Sequence, residues 1–339
     1  MSRSPMKPVK TLKDLAALAG VTSGTVSRAL AGSDLVTPAT RDLIVRLARE
    51  HGFTPNVTAR NLRTRRTGAI GVVIPLGHET AQQFSDPFFI TMLGGLADAL
   101  TDKGYNLLLS RVVPKDENWL WNFAHSGQVD GVIVIGQSDQ SAVLDAVAER
   151  YKPLVAWGSH VSGQAHVSVG SDNFRGGQLA AQHLIERGCR RIAFFGDPRA
   201  LEIGQRLEGC RAAMDKAGLA DQLSVLPAHL VAEMAGPEIA AFLSSTENRP
   251  QGIVAASDVI AMSALRALSE HGLSVPADVK VVGYDNLPLC EHTVPRLTTI
   301  AQNIEEGAEK LADIVVRRIA GEDVPSVIMQ PRLVIRAST

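Results

Sequence analysis

Residues 11–31 read TLKDLAALAGVTSGTVSRALA, and this stretch decides how the N-terminal part of the chain folds. Small and apolar residues recur at helical spacing on both sides of a break at residues 20–22: Leu12, Leu15, Ala16 and Ala19 before it, and Val26, Ala29 and Leu30 after it. Two short helices joined by a turn that contains glycine are typical of a helix-turn-helix, whose second helix enters the major groove of DNA. An alternative is a small helical bundle that serves protein contacts.

A third helix completes this N-terminal unit. Residues 37–52 read TPATRDLIVRLAREHG, with Pro38 at the first helical position and Gly52 just past the end. The apolar side of this helix is formed by Leu43, Ile44 and Leu47. Threonine hydroxyls accept hydrogen bonds from the free N–H groups of a first helical turn, so each helix has a predicted N-cap: Thr11, Thr22 and Thr37.

The charge of the chain is divided unevenly. Residues 1–66 contain 12 Lys and Arg against 4 Asp and Glu, a net charge of +8, so the remainder carries −9. A basic head on an acidic body indicates that only the head meets a polyanion. The alternative, a solvated basic tail, is weakened because apolar residues within the head keep a helical period.

Length and composition exclude several classes of protein. A chain of 339 residues with 45% hydrophobic residues has room for two or three globular domains. The N-terminal residues do not resemble a signal peptide, and no apolar run is long enough to span a bilayer. Three cysteines far apart do not form a metal-ligand pattern, so we expect reduced, mostly buried thiols in a cytoplasmic protein without membrane contacts.

From residue 69 onward the pattern changes to apolar strands that alternate with amphipathic helices. The predicted strands read AIGVVIP, YNLLLS, DGVIVIG, PLVAWG, RRIAFFG, GIVAAS and VKVVGYD. Nearly continuous apolar strands are buried on both faces, as in parallel sheets flanked by helices. About 270 residues are many for one such sheet, so we expect two α/β lobes, with chain crossings near residues 168–173, near residues 297–302 and near Pro331.

Catalytic signatures are absent from the sequence. It contains no Walker loop, no Gly-x-Gly-x-x-Gly after a strand and no nucleophile elbow. His78 and Glu79 lack the second histidine of a zinc-binding helix. We therefore expect neither an enzyme nor a bound metal or cofactor.

Polar and aromatic residues instead follow the predicted strands, where open α/β sheets bind ligands. They are Asp86, Phe88, Phe89, Trp157, Asp172, Ser257, Asp258 and Asp285. Carboxylates that accept from hydroxyls and aromatic faces that stack on C–H surfaces are the chemistry of a sugar site. As alternatives, the two phenylalanines belong to the core, and Asp172 and Asp285 cap turns or helices.

The chain resembles the LacI/GalR family of bacterial transcription regulators from about residue 11 to its end. The matching motifs are T-L-x-D-L-A-x-x-A-G-V-[ST]-x-x-T-V-S-R-A-L (residues 11–30), T-P-x-T-R (37–41), G-F-x-P-N-x-x-A-R-x-L (52–62), T-G-x-I-G-V-V-I-P (67–75), S-D-N-x-x-G-G (171–177), V-V-G-Y-D-N (281–286) and P-x-L-T-T-I-x-Q (295–302). The resemblance implies an all-α helix-turn-helix domain (1–55), a hinge helix or linker (56–67) and a two-lobed, periplasmic-binding-protein-like α/β body (68–339). The N-lobe would take about 68–170 and 301–330, and the C-lobe about 171–300 and 331–339.

Within the second helix, Ser23, Gly24, Ser27 and Arg28 fall on one hydrophilic face. Arg28 is suited to a bidentate contact with guanine. The resemblance assigns base reading to Ser23, Gly24 and Arg28, although Gly24 has no side chain and Ala31 replaces a frequent asparagine. Hydroxyls suited to phosphate oxygens are Thr11, Thr22, Thr25 and Ser27.

Residues 56–66, NVTARNLRTRR, cannot bury enough apolar surface to fold alone. The resemblance implies a hinge helix in which Leu62 wedges into a central base step of the minor groove. Two hinges meeting on a palindrome require a dimer. The hinge residues expected to contact DNA are Asn56, Ala59, Arg60, Leu62 and Arg63. The alternative is a flexible basic linker that adds only salt-dependent affinity.

By motif position, the resemblance implies that the body binds its ligand through Asp86, Phe88, Phe89, Arg206, Ser257, Asp285 and Gln302, with Trp157 and Asp172 as further candidates. The alternative for Arg206 is an ion pair with Glu202 or Glu208. Two departures from the family pattern affect the ligand: the GHETAQQFS stretch at residues 77–85 and Ala156, where sugar receptors often carry an acid.

These inferences predict a cytoplasmic, dimeric repressor that a mono- or disaccharide releases from a double-stranded DNA operator. A dimer rather than a tetramer is expected because no leucine-heptad tail follows LVIRAST. The alternatives are an activator or corepressor-dependent regulator that senses a nucleobase or phosphosugar, a transport-type sugar receptor, and an enzyme. The basic head and the lack of a signal peptide disfavour the receptor.

Overall fold

The computed structural model describes residues 9–30, 32–53, 66–76, 81–245 and 249–339. The chain forms two compact units, Met1–Thr67 and Gly68–Thr339. No helix in the described ranges is both long enough and apolar enough to cross a bilayer. Cys189, Cys210 and Cys290 are buried free thiols, as predicted.

Among its described residues, the first unit contains the helices α1 (Leu12–Ala19), α2 (Ser23–Leu30) and α3 (Pro38–Glu50). The three predicted N-caps are confirmed, because the hydroxyls of Thr11, Thr22 and Thr37 accept from backbone N–H groups in the first turns. Gly20 ends α1 in the left-handed conformation, with φ of 65°. The side chains that hold the unit together include Leu15, Val26 and Ile44, all without exposed surface.

The first sheet of the second unit has the strand order β11-β5-β4-β3-β1-β2, and its paired strands are parallel. Its strands are β1 (Ala69–Pro75), β2 (Asn106–Val112), β3 (Gly131–Ile135), β4 (Leu154–Trp157), β5 (Val167–Ser171) and β11 (Val327–Met329). The helices of this lobe are α4 (Pro87–Asp102), α5 (Trp119–Ala124), α6 (Ser141–Ala148) and α11 (Ile304–Ile319).

The second sheet has the order β12-β10-β9-β8-β6-β7. Its strands are β6 (Ile192–Phe195), β7 (Leu223–Leu226), β8 (Gly252–Ala255), β9 (Lys280–Asp285), β10 (Thr298–Ala301) and β12 (Arg332–Val334). The helices around it are α7 (Asn173–Glu186), α8 (Leu201–Lys216), α9 (Ala232–Ser245) and α10 (Asp258–Glu270). Single 3-10 turns lie at Ser138–Gln140, Ala220–Gln222 and Pro288–Glu291.

One strand departs from the predicted all-parallel arrangement. β12 pairs antiparallel with β10, so that Thr299 lies opposite Val334. An antiparallel strand at the edge of an otherwise parallel sheet is common, because it needs no helical crossover.

The chain passes between the two lobes three times. It leaves the first sheet after β5, returns after β10 to form α11 and β11, and ends in the second sheet with β12. Strands β1, β3, β4, β8 and β9 are parallel within their sheets. Their carboxyl ends therefore point toward the edge where ligands bind in such sheets.

Candidate functional site

The second helix of the N-terminal unit has one buried and one exposed face. Val26 and Ala29 are buried, whereas Ser23, Gly24 and Arg28 are exposed. Nε of Arg28 donates to the carbonyl oxygen of Gly24 over 3.2 Å, which holds the base of the side chain along the helix. The terminal guanidinium nitrogens thus remain at the exposed face that is expected to read bases.

The hydroxyls expected to meet phosphates have local roles as well. Thr11 forms a reciprocal capping box with Asp14. The hydroxyls of Thr22 and Thr25 lie 3.0 Å apart and share a hydrogen bond, while Ser27 is half-buried. Ala31 and the five predicted hinge residues lie outside the described residues: Asn56, Ala59, Arg60, Leu62 and Arg63.

A cavity lies between the two lobes of the second unit, beyond the carboxyl ends of the strands. It contains eight of the nine residues predicted for the ligand: Asp86, Phe88, Phe89, Trp157, Arg206, Ser257, Asp285 and Gln302. Its volume is about 120 Å³. Since one buried water needs about 10–15 Å³ on this measure, the cavity is large enough for a small molecule and not only for one or two waters.

Asp172 is the predicted residue that the structure places elsewhere. Its Oδ1 accepts from the N–H of Arg175 over 2.9 Å and caps α7, and it is not among the described residues that line the cavity. An aspartate just after a strand is suited both to a ligand site and to a helix cap. In this structure Asp172 accepts from the free N–H groups at the start of α7. Ser257 also caps a helix, α10, but does line the cavity.

Aromatic rings form one wall of the cavity. The ring centroids of Phe88 and Phe89 are 5.6 Å apart in an edge-to-face arrangement, and Trp157 lies 6.3 Å from Phe88. Phe89 is also a core residue, with 6% exposure. Gly307 of α11 leaves room for the indole, because a Cβ there would approach Trp157 to 2.2 Å. The wall is thus rigid and apolar.

Carboxylates and amides supply the polar part of the lining. Asp86 accepts from the N–H of Phe88 and from Nε2 of Gln82, both over 2.9 Å. Asp285 accepts from Nε2 of Gln302 over 2.5 Å. The backbone of Asp285 has φ of 121°, a conformation that is costly for a residue with a side chain and that concentrates at functional sites.

Arg206 lies in the cavity wall as a buried cation with 8% exposure. Its Nε donates to Oδ1 of Asn173 over 2.8 Å, another of its nitrogens donates to the carbonyl oxygen of Ala256, and its guanidinium stacks 3.7 Å above the ring of Tyr284. The sequence analysis offered an ion pair between Arg206 and Glu202 or Glu208 as an alternative. Among the described residues, Arg206 makes the contacts above in place of that ion pair.

A second buried carboxylate, Asp258, holds the elements behind Asp285 together. It accepts hydrogen bonds from the N–H of Leu287, from Sγ of Cys290 and from the hydroxyl of Thr299. Burial raises the pKa of Asp258 to about 6, against the lowering effect of these hydrogen bonds. Burial and the neighbouring Asp258 carboxylate likewise raise the pKa of Asp285 well above its ordinary range.

Sequence reasoning missed three polar residues of this region. Glu202 and Gln82 line the cavity, and Asn173 connects the two lobes behind it. The spacing held a signal for Glu202, because it lies four residues before the predicted ligand residue Arg206 on the same helix. Gln82 had none, because it lies in a loop. Asn173 had no such signal beyond its place in the S-D-N motif.

Comparisons with known proteins agree with this architecture. The HTH-type transcriptional regulator CelR of Thermobifida fusca is 35% identical over 97% of this chain and 98% of its own length. Among solved structures, a transcriptional regulator CelR–cellobiose complex gives a TM-score of 0.71 at 31% identity and covers 97% of this chain and 99% of its own. A lac repressor dimer bound to operator and the anti-inducer ONPF gives a TM-score of 0.83 at 25% identity. It covers 98% of this chain and 99% of its own.

A helix-turn-helix unit followed in one chain by a two-lobed α/β body defines the class of DNA-binding transcriptional regulators. The family model of bacterial regulatory proteins, lacI family, matches residues 11–56, and that of the periplasmic binding protein-like domain matches residues 181–339. The chain belongs to the LacI family. Its relatives are regulators of transcription, and the chain is a regulator rather than an enzyme.

Proposed function

We propose that this regulator is a repressor that a small sugar releases from a palindromic operator. The observation that carries the proposal is the composition of the cavity, where Phe88 and Trp157 lie beside the carboxylates of Asp86 and Asp285. Aromatic faces cover the C–H surfaces of a sugar, and carboxylates accept from its hydroxyls. The cellobiose bound to a CelR relative supports a mono- or disaccharide as the effector.

The proposed DNA contacts come from the exposed face of α2, with Arg28 as the principal reader of bases and the hinge as an added minor-groove contact. The acting unit is a cytoplasmic homodimer, whose twofold symmetry would match a palindrome. The dimer and operator in the related lac repressor structure support this arrangement.

Release requires that sugar and operator favour different arrangements of the lobes, since a ligand with equal affinity for both arrangements shifts neither. A ligand in the cavity touches both lobes at once, through Trp157 of the first and Arg206 of the second. Closure of the lobes around the sugar is therefore the proposed source of the change in operator affinity.

The test begins with thermal unfolding of the full chain in the presence of mono- and disaccharides, nucleobases and phosphosugars. A sugar that binds only the folded state should raise the melting temperature. The same sugar should weaken binding to an operator selected from random DNA. If no sugar acts, or if the active compound strengthens operator binding, the proposal is overturned. An Arg206→Ala variant that keeps the full response would remove Arg206 from the site.

A further inference from the structure

His166 is a histidine of the first lobe that lies just before β5, with only 2% of its surface exposed. Its Nδ1 is 2.7 Å from Oδ1 of Asp145 on α6, and its Nε2 is 3.0 Å from Oε1 of Gln137, which follows β3. Among the described residues, Asp145 is the charged side chain that contacts the ring. The nearby side chains of Gln164 and Ser168 are neutral and bond to each other. The function proposed above uses none of these side chains.

The hydrogen bonds of Gln137 fix which way its amide group lies. Its Nε2 donates to the carbonyl oxygen of Ser159. A carbonyl oxygen only accepts hydrogen bonds, so this contact leaves Oε1 of Gln137 facing the imidazole. Gly158 leaves space for the side chain, since a Cβ there would approach Cδ of Gln137 to 2.6 Å. Both ring nitrogens of His166 therefore face oxygen acceptors.

Only the protonated imidazole donates from both nitrogens. Burial by itself would raise the pKa of Asp145, but hydrogen bonds from the backbone N–H groups of His166 and Ala165 and from the imidazole lower it below its ordinary value. Asp145 is therefore an ionised partner for the imidazolium. If Nε2 loses its proton, it becomes an acceptor opposite Oε1 of Gln137. Gln137 must then reverse its amide and give up Ser159, or leave two acceptors facing each other.

Ser159 carries this contact to the second lobe. Its Oγ bonds to Gln205 on α8 and to Asn173 on α7. Two residues, Gln137 and Ser159, thus connect the imidazole to both helices. Loss of the contact between Gln137 and Ser159 therefore frees the segment that joins the first lobe to the second.

We propose that His166 is a proton-dependent positioning residue for the junction between the lobes. As the imidazolium it holds Gln137 against Ser159, and as the neutral imidazole it releases this contact. Histidine titrates between about pH 5 and 8, so mild acid favours the arrangement of the lobes described above. This inference does not depend on which effector the cavity binds.

The first test is NMR of the full chain labelled with 15N-histidine, assigned through the backbone, from about pH 5.5 to 8. We expect both ring nitrogens of His166 to carry protons at the acid end and Nε2 to lose its proton as the pH rises. His183 is the internal control: it is also buried, but its Nε2 meets the hydroxyl of Thr339, which donates or accepts. Burial and the nearby Arg187 lower the pKa of His183, so it should be neutral over most of this range.

Two outcomes of this measurement would overturn the proposal. One is a His166 ring that is already neutral at the acid end, and the other is a ring that keeps both protons throughout. The measurement uses the unaltered chain, so it decides even where a variant of His166 does not fold.

Urea unfolding tests the positioning role, with His166→Gln, Gln205→Ala and the double variant at about pH 5.5 and 8. At the acid end, Gln205→Ala should cost less in the His166→Gln background than in the original chain, because the contact of Ser159 with Gln205 is already weakened. At the alkaline end the two losses should add. His160→Gln is the matched control, since His160 is exposed on the same loop, and its effect should add to that of Gln205→Ala at both pH values. Additive losses for His166→Gln at both pH values would assign His166 to local packing alone and overturn the proposal.

Discussion

Oγ of Ser159 donates a hydrogen bond to Oε1 of Gln205 over 2.6 Å, and this bond joins the two lobes. Ser159 follows β4 of the first sheet, whereas Gln205 lies on α8 beside the second. The same Oγ accepts from Nδ2 of Asn173 over 2.9 Å, and Asn173 accepts from Arg206. The junction between the lobes is thus connected to the cavity wall by three consecutive hydrogen bonds.

Removing either end of this inter-lobe bond should destabilise the second unit. Ser159→Ala and Gln205→Ala should each lower the free energy of unfolding by about 1 kcal/mol or more, because the partner is left unsatisfied. The double variant should lose less than the sum of the two. Urea unfolding measures all three, with Ser162→Ala as a control near zero, because Ser162 is exposed and lies in a turn. Fully additive losses would mean that the bond contributes nothing.

The helices α7 and α8 should not tolerate a methyl group at Gly177. A Cβ there would lie 1.8 Å from the carbonyl oxygen of Arg206, so Gly177→Ala must push the helices apart and displace the arginine. We expect a loss of about 3 kcal/mol in the free energy of unfolding, with weaker binding of the proposed sugar effector. Gly236→Ala on α9 is the control, since no atom lies within 4 Å of its Cβ. Similar stabilities of the two variants in denaturant would contradict the prediction.

Asp258 should make the second unit less stable as the pH rises from about 4 to 6. Burial raises its pKa to about 6 from an ordinary 3.8. The folded state then binds more protons than the unfolded state between these values, so the stability contributed by Asp258 is greatest below this window and declines through it. The unfolding free energy of the original chain minus that of Asp258→Asn should be more positive at pH 4 than at pH 7. An unchanged difference would mean that the carboxyl titrates normally.

Gly24 should be replaceable by alanine with a gain in local stability. A Cβ there would be 3.6 Å from Oγ1 of Thr22 and 3.8 Å from the guanidinium of Arg28, ordinary contact distances. Alanine within a helix is favoured over glycine by about 1 kcal/mol, so amide hydrogen exchange in α2 should slow about fivefold. Gly20→Ala should have the opposite effect, because φ at Gly20 is 65°. Faster exchange in the Gly24 variant would contradict this.

Arg28→Ala should reduce sequence discrimination more than overall DNA affinity. A lost bidentate contact with guanine corresponds to about 1–3 kcal/mol per half-site. The ratio of operator to random-DNA affinity should therefore fall at least fivefold per half-site in fluorescence anisotropy titrations at fixed salt. Arg49→Ala, exposed on α3, serves as the control and should leave the ratio unchanged. Equal weakening on both DNAs would assign Arg28 to the phosphates.

The class of fold could be predicted from the sequence because its strongest signals are local. The run AIGVVIP forms β1 over the same seven residues, since a strand buried on both faces needs continuous apolar side chains. The edge strand Arg332–Val334 had no such signal, because three residues of mixed polarity are held by pairing with distant Thr299–Ala301. Whether such a short segment becomes a strand depends on the rest of the folded sheet and not on its own sequence.

The lining of the candidate site was predictable where a residue type and a strand end coincide, as at Trp157 and Asp285. It was not predictable where one side chain suits two roles. Asp172 and Ser257 both cap helices, yet only Ser257 also faces the cavity. Glu202 has a buried oxygen with no hydrogen-bond partner among the described residues. This too was hidden in the sequence, because it depends on which segments surround α8 after folding.

The three passages between the lobes also fix the order in which the protein is completed during synthesis. The helices α1 to α3 emerge first, whereas the first sheet receives β11 only after the whole second lobe except β12 has been translated. A chain interrupted near residue 300 would carry every described helix of the N-terminal unit but would lack α11, β11 and β12. Such a fragment would retain α1 to α3 while neither sheet beside the cavity is whole. Translation must therefore run almost to its end before the second unit is complete.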